Sequence, residues 1–371
     1  MINIKRYIFE KLFHPQVAII NRPGFILSKT SRRYGHHASI KRQIFYFEDI
    51  VSKLQIETIN IIGQKEASRL WYLIGKDVGY RYLLMGSGKK PPYFLLDQIL
   101  QYIVTNLNGA GLTFAKEIIF EKNDVFIFKG NNNLVCRQSS LGDNFAGFAA
   151  GIISFLLGKN VEAKCYCKCP NNCKIIVDPS HTITYIVDAE KLKPIKNYAS
   201  LNTPTTNENY DFPAFSKLIA FDKIAIQKEG VFYLDKLVII PYEIGISGII
   251  NQKYDEFGLS KFIGTVTKEI SEKTWNQIKI QSNDKKQNLK FLFNTLTALG
   301  WGIFRHKFED DIIELTIKSY PISRFSFNFE IYQLNGFINS ALDNKYEIIK
   351  IDTNESNKSI KIRFKPLKDS S

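Results

Sequence analysis

The chain has 371 residues, 44% hydrophobic and 23% charged, the balance of a globular protein long enough for two ordinary domains, each with its own core. A net charge of +14, from 50 Lys and Arg against 36 Asp and Glu, permits contact with nucleic acid or an acidic partner surface. The densest basic stretches are "SKTSRRYGHHASIKR" (28–42) and the last fifteen residues. No apolar run approaches the ~18 residues of a membrane span, and "MINIKRYIFEKLFHPQ" (1–16) lacks the small-residue cleavage site of a signal peptide.

Taken in order, "QVAIINRPGFILS" (16–28) and "RQIFYFE" (42–48) read as strands joined by polar turns. In "QKEASRLWYLIGKDVGYRYLL" (64–84), Ala67, Leu70, Trp71, Ile74, Val78 and Tyr82 mark one face of a helix. A second helix follows Pro91–Pro92 as "PYFLLDQILQYIVTNL" (92–107). Strands at 110–121 and 124–130 come next, then a small-residue helix, "DNFAGFAAGIISFLLG" (143–158), then strands at 160–168 and 173–178. Gly147 and Gly151 share one side of that helix and predict a close approach to a neighbour.

Three stretches recur in the same order. "VAIINRPGFIL" (17–27) returns as "IAIQKEGVFYL" (224–234), and "LNGAGL" (107–112) as "ALGWGI" (298–303). "AGFAAGIISFLLGKNVEAK" (146–164) returns as "NGFINSALDNKYEIIK" (335–350). Ordered repeats of this kind predict a duplicated module. The expected division is 1–190, a linker over 191–215 rich in Asn, Thr and Pro, and 216–371. Strands, then helices, then strands predict an α+β fold in each module, an antiparallel sheet packed against helices. The space between the layers is an expected ligand cavity.

Five cysteines are present, and Cys165, Cys167, Cys169 and Cys173 crowd into "VEAKCYCKCPNNCKIIV" (161–177), with Cys136 upstream. That crowding suits a reducing compartment, so a cytoplasmic location is expected. Thiolates select zinc, copper(I) or iron–sulfur, and structural zinc takes four ligands. Cys165 and Cys173 lie at the ends of a turn, Cys136 comes from the strand before the Gly-rich helix, and Glu162 supplies an oxygen. Glu162 and Cys165 are three apart, so they share one ion only if the strand bulges or ends there. Cys167 and Cys169 form a competing set on the face of Cys165. Buried reduced cysteines and a redox site are the alternatives.

The first module resembles the 4-vinyl reductase domain family, most of all the sensory domains of bacterial aromatic-responsive activators. The resemblance rests on "IETINIIGQKEASRLWYLIGKDVGYRYLL" (56–84), "CRQSSLGDNFAGFAAGIISFLLGKNVEAKC" (136–165) and "CYCKCPNNCKIIVDPS" (165–180). It implies a structural zinc on Cys136 and a Glu-x-x-Cys-x7-Cys element matched by Glu162, Cys165 and Cys173, with Cys167 and Cys169 extra. It also implies a dimer-forming fold, so a homodimer is expected. The sequence departs from the phenol sensors, whose histidine and tryptophan hold the ligand hydroxyl. No histidine lies between His37 and His181, and Trp71 is the first module's only tryptophan. The second module has lost the metal set: Glu347 follows Glu162, but Lys350 stands where Cys165 does.

Other signals are weak. "GSGKKPPY" (86–93) is not a phosphate loop, because Leu83 and Lys90 occupy the required Gly and Ser/Thr positions. His36–His37 read as a solvated turn, His181 and His306 stand alone, and Asp310–Asp311 reads as a hairpin turn. The expectation is a non-enzymatic, zinc-stabilised protein that binds a small hydrophobic or aromatic molecule and acts in regulation, with transcription as the expected setting. The alternatives are a basic scaffold for nucleic acid or a partner protein, and a 4-vinyl-reductase-like tetrapyrrole enzyme.

Overall fold

A computed structural model describes residues 16–22, 24–32, 35–87, 90–110, 112–121, 124–134, 136–168, 171–192, 214–215, 224–226, 231–280, 282–309, 311–320, 328–354 and 359–367. The run read as one strand over 16–28 is a hairpin. β1 (Gln16–Arg22) and β2 (Phe25–Arg32) pair antiparallel around Gly24, whose φ of 69° is left-handed backbone that glycine adopts without strain. β3 (Gly35–Phe47) follows, and then α1 (Glu48–Ser87). The helical periodicity found from residue 64 is only the second arm of α1. The helix opens on Glu48 and Asp49, favourable charges at an N-terminus, and kinks at Gly63 (φ 79°, ψ 161°).

The first half continues with α2 (Leu96–Gly109), β4 (Phe114–Glu121), β5 (Val125–Asn131), the short α3 (Cys136–Ser139) and α4 (Asp143–Leu157). It closes with β6 (Glu162–Lys168), β7 (Asn171–Asp178) and the short α5 (Ala189–Leu192). The second half has β8 (Ile224–Ile226), β9 (Phe232–Leu234), β10 (Leu237–Glu243), α6 (Gly245–Glu256), α7 (Ser260–Trp275) and α8 (Lys285–Ala298). It ends with β11 (Ile303–Glu309), β12 (Ile312–Lys318), α9 (Asn328–Leu342), β13 (Tyr346–Asn354) and β14 (Ser359–Pro366).

The sheets carry the repeat. The order β4-β5-β7-β6 in the first half returns as β11-β12-β14-β13 in the second, and all the recorded strand pairs are antiparallel. A third sheet, β1-β2-β3-β10-β9-β8, joins the halves, with Phe45 opposite Pro241 at the centre of the β3–β10 register. Where α1 breaks at Gly63, the second half breaks between α6 and α7 at Gly258, again with positive φ (72°).

Length suggested two separate cores, but the halves share one. Phe47 packs edge-on against Trp275 and Phe337, and Tyr46 lies against Tyr242, Trp301 and Phe329. Trp301 Nε1 donates to the Phe45 carbonyl at 2.9 Å, and the Phe45 amide donates to the Leu299 carbonyl at 2.9 Å. Aromatic side chains each bury a large area and weigh heavily in the energetics of such a core. A second cluster belongs to the first half alone. It sets Phe126, Phe128, Ile175 and Val177 of the sheet under Leu100, Ile103 and Leu107 of α2 and Ile152 and Leu156 of α4.

The α1–α4 crossing depends on glycines from both helices. A Cβ on Gly147 would lie 2.0 Å from the Tyr72 carbonyl oxygen, and one on Gly75 would lie 1.9 Å from that of Asn144. Gly79 and Gly151 are equally tight, at 2.0 Å from the Phe148 and Lys76 carbonyls. In the second half a Cβ on Gly336 would lie 2.2 Å from the Lys268 carbonyl of α7.

Candidate functional site

The cysteine hairpin is set by the β6–β7 register. Cys167 lies opposite Cys173, Cys165 opposite Ile175 and Glu162 opposite Asp178. Strand alternation therefore puts 165 and 167 on the face of Cys173. Cys136 opens α3 rather than ending a strand, and its Sγ lies 3.8 Å from the Sγ of buried Cys173. Cys136 is also disulfide-bonded. The next residue, Arg137, grips buried Glu48 at the start of α1, with Nε–carboxylate distances of 2.8 and 3.0 Å. The hairpin, α3 and the first turn of α1 thus meet at one place.

Of the four ligands suggested by spacing, the structure brings Cys136 and Cys173 together. Cys165 is half-buried beside the first-half core. Glu162 lies five positions along β6 from Cys167, roughly 16 Å at strand spacing, so it cannot share an ion with Cys173. Among the described residues no group of three or more His, Cys, Asp and Glu side chains could hold a metal ion. The side chains of Cys167 and Cys169 lie outside the described residues.

Glu162 has a different setting. Its Oε2 accepts from the Tyr72 hydroxyl at 2.6 Å. Its Oε1 accepts from Lys76 Nζ at 2.9 Å, from the amides of Thr184 (2.9 Å) and Tyr185 (3.0 Å), and from the Thr184 hydroxyl (3.2 Å). The Tyr72 oxygen in turn accepts from the Ala163 amide at 2.9 Å. Burial works against the charge on Glu162, but the Tyr72 hydroxyl and Lys76 outweigh it and hold the carboxyl below its ordinary value. Burial alone pulls the Lys76 ammonium, wholly shielded from solvent, below its usual value, with Glu162 opposing.

The segment between β7 and α5 carries this cluster across to the second half. Lys76 Nζ also donates to the Tyr185 carbonyl at 2.7 Å. The Tyr185 hydroxyl donates to Asp77 Oδ2 at 3.0 Å and accepts from Lys253 Nζ of α6 at 3.0 Å. Lys253 also meets Asp77 at 3.1 Å and Glu256 at 3.0 Å. Burial and the neighbouring Asp77 push the Tyr185 phenol up to about 12. Burial raises the Asp77 carboxyl despite Lys253, while Asp77 and its neighbours hold Lys253 above its ordinary value against burial. A further buried pair, Arg81–Glu243 (2.9 Å), joins α1 to β10.

Sequence reasoning missed Lys76, Asp77 and Lys253, because lysines and aspartates on a helix read as its solvent side. It placed Trp71 on an apolar face, and Trp71 packs in the shared core against Tyr254. The "GSGKKPPY" loop has a structural task at Lys90, whose Nζ donates to the Leu157 carbonyl at the end of α4. His306 sits between Phe293 and Phe308, where burial lowers its pKa. His36 and His37 fall on β3 rather than in a turn, with side chains outside those described. Asp311, with φ 67°, turns the β11–β12 hairpin.

No protein-family model matches the chain, and no curated protein matches it. Among solved structures it is similar to the crystal structure of the phenol-responsive sensory domain of the transcription activator PoxR with phenol. Identity is 17%, the match covers 48% of this chain and 89% of that one, and the TM-score is 0.31. A likeness of that size does not fix the family. No helix among the described residues is long and apolar enough to cross a membrane.

Proposed function

We propose that the chain is a non-catalytic regulatory protein whose first half is closed by a thiolate-bound zinc ion and whose second half is a metal-free partner built into the same body. One observation carries the metal reading: the 3.8 Å between the Cys136 and Cys173 sulfurs. Two thiolates bound at about 2.3 Å to one tetrahedral zinc stand about 3.8 Å apart. The proposed ligands are Cys136, Cys173 and Cys167, which the register sets opposite Cys173, with Cys169 as the fourth. Glu162, engaged by Lys76, is left out, and so is Cys165.

The disulfide at Cys136 and a zinc thiolate site are the oxidised and reduced forms of one sulfur cluster, and the reading assigns the reduced, metal-loaded form to a reducing cytoplasm. The zinc would hold the β6–β7 hairpin to α3 and, through Arg137–Glu48, to α1. A small hydrophobic ligand would act on the apolar layer between α2, α4 and the first-half sheet. The non-catalytic reading is supported by the buried ion pairs Lys76–Glu162, Asp77–Lys253 and Arg81–Glu243, each of which ties one element to another.

Native mass spectrometry of protein purified under reducing conditions tests this. One zinc per chain is expected. It should be lost in Cys173→Ser and retained in Glu162→Gln, and a chelator should lower the melting temperature. Protein without zinc, or a Cys173→Ser variant that still holds it, overturns the metal reading. Turnover of a reducing cofactor overturns the non-catalytic one.

A further inference from the structure

We propose that the β1–β2–β3 ribbon is a DNA-binding arm that enters the major groove of duplex DNA. The first observation is one of charge. Between Glu10 and Glu48 the sequence has no Asp or Glu, yet it holds Lys11, Arg22, Lys29, Arg32, Arg33, Lys41 and Arg42. The duplicated strands of the second half, β8–β10, lie in a balanced stretch where Lys228 and Lys236 are offset by Glu229, Asp235 and Glu243. The asymmetry therefore belongs to this copy of the ribbon and not to the fold.

The second observation is one of shape. β3 pairs with β10 only over Gln43–Phe47, whereas its pairing with β2 continues out to Arg32 opposite Gly35. β1 follows β2 along this extension, with Gln16 opposite Ser31. Among the described residues, the outer part is thus a three-stranded ribbon whose pairing to the rest of the sheet is at its base. There, Arg42 is buried, its guanidinium 4.4 Å from the Phe25 ring centroid and 2.9 Å from the Gly24 carbonyl. The axes of two neighbouring strands lie about 5 Å apart, and the ~12 Å major groove of B-form DNA admits a two-stranded β-ribbon, so the β2–β3 pair would enter and β1 would lie along the rim. The deep, narrow major groove of A-form RNA would exclude it.

On the extension the register sets Lys41 opposite Ser28 and Lys29 opposite Ile40. Paired residues share a face and successive ones alternate, so Lys29 and Lys41 lie on opposite faces of the ribbon, among the small hydroxyl residues Ser28, Thr30, Ser31 and Ser39, and both types are phosphate contacts. The arm supplies the phosphate-directed charge, and sequence preference would come from elsewhere.

The test is fluorescence anisotropy of the full chain with a labelled duplex of mixed sequence, titrated from 50 to 200 mM salt. Binding should weaken steeply as salt rises. The Lys29→Gln/Arg32→Gln/Lys41→Gln variant should lose affinity about tenfold or more at low salt, with the log–log salt slope reduced by about 0.9 for each lost contact. Lys29→Arg/Lys41→Arg keeps the charge and should bind like the parent, which separates lost charge from lost folding. Lys236→Gln, in the second copy, should change nothing. Absence of binding at 50 mM salt, an unchanged slope in the triple variant, or binding to anionic vesicles but not to DNA overturns the proposal. The ribbon residues are not among the proposed zinc ligands, so DNA binding is measured with and without a chelator, and failure of the metal reading and failure of this one are separable.

Discussion

The two halves close the same construction with different chemistry. The glycine contacts give the correspondence: Gly147 sits against Tyr72 and Lys76 of α1, and Gly336 against Lys268 and Glu272 of α7. Lys76 therefore corresponds to Glu272. In the first half Lys76 meets Glu162, the first residue of β6, at 2.9 Å with 0 and 7% of the side chains exposed. In the second, Glu272 meets Lys345, just before β13, at 2.7 Å with 22 and 59% exposed. The helix-to-hairpin tie survives, but its charges are exchanged and it has moved to the surface.

The hairpins differ in the same way. Phe126 and Gly130 pair with Val177 and Cys173 in the first half, and Ile313 and Ile317 pair with Phe364 and Ile360 in the second. Ile360, 2% exposed, thus occupies the place of Cys173. Where one copy gathers sulfur, the other continues its apolar core. Topology is the constant part; the chemistry that fastens the last hairpin is interchangeable.

Glu162→Gln should break the comparison most sharply. It leaves the Lys76 ammonium buried without its carboxylate and should cost about 3–5 kcal/mol in urea unfolding. The folded carboxyl lies below its unfolded value, so its contribution is present above about pH 4.3 and is lost as pH falls through the lower folded value. The variant should therefore flatten the acid limb of the stability curve. Asp77, raised by burial, has the opposite sign and should persist in the variant. Gly147→Ala comes next: its Cβ collides with the Tyr72 carbonyl, and forcing α1 and α4 apart should cost about 1–3 kcal/mol. Glu272→Gln is the smallest, below about 1 kcal/mol, because its pair is largely solvated. Equal losses in Glu162→Gln and Glu272→Gln would remove the distinction between the halves.

The repeated stretches and turn residues made much of the fold legible. Strand pairs, the Gly-rich helix and the order of elements could all be read from local pattern. The shared core could not, because nothing local to Phe47 announces Trp275 and Phe337 as its neighbours. Lys76 was illegible for a related reason. α1 meets α4 on its glycine side and the shared core on its Trp71 side, so a position that reads as solvated is enclosed. At the cysteines the spacing fixed the residue types but not the partners. Counting from Cys165 assumed a longer turn than the hairpin uses, and the register passes the pairing to Cys167.

The β3–β10 junction, with Phe45 facing Pro241, also has a mass-action consequence. Two separate copies meeting at such an edge would form a dimer whose population falls on dilution. Here the second edge is supplied by the same polypeptide, so the junction is unimolecular and holds at any protein concentration. Joining the copies also frees each from having to match itself. The cysteines and the acid-free ribbon occur on one side only, an asymmetry that a pair of identical chains could not have.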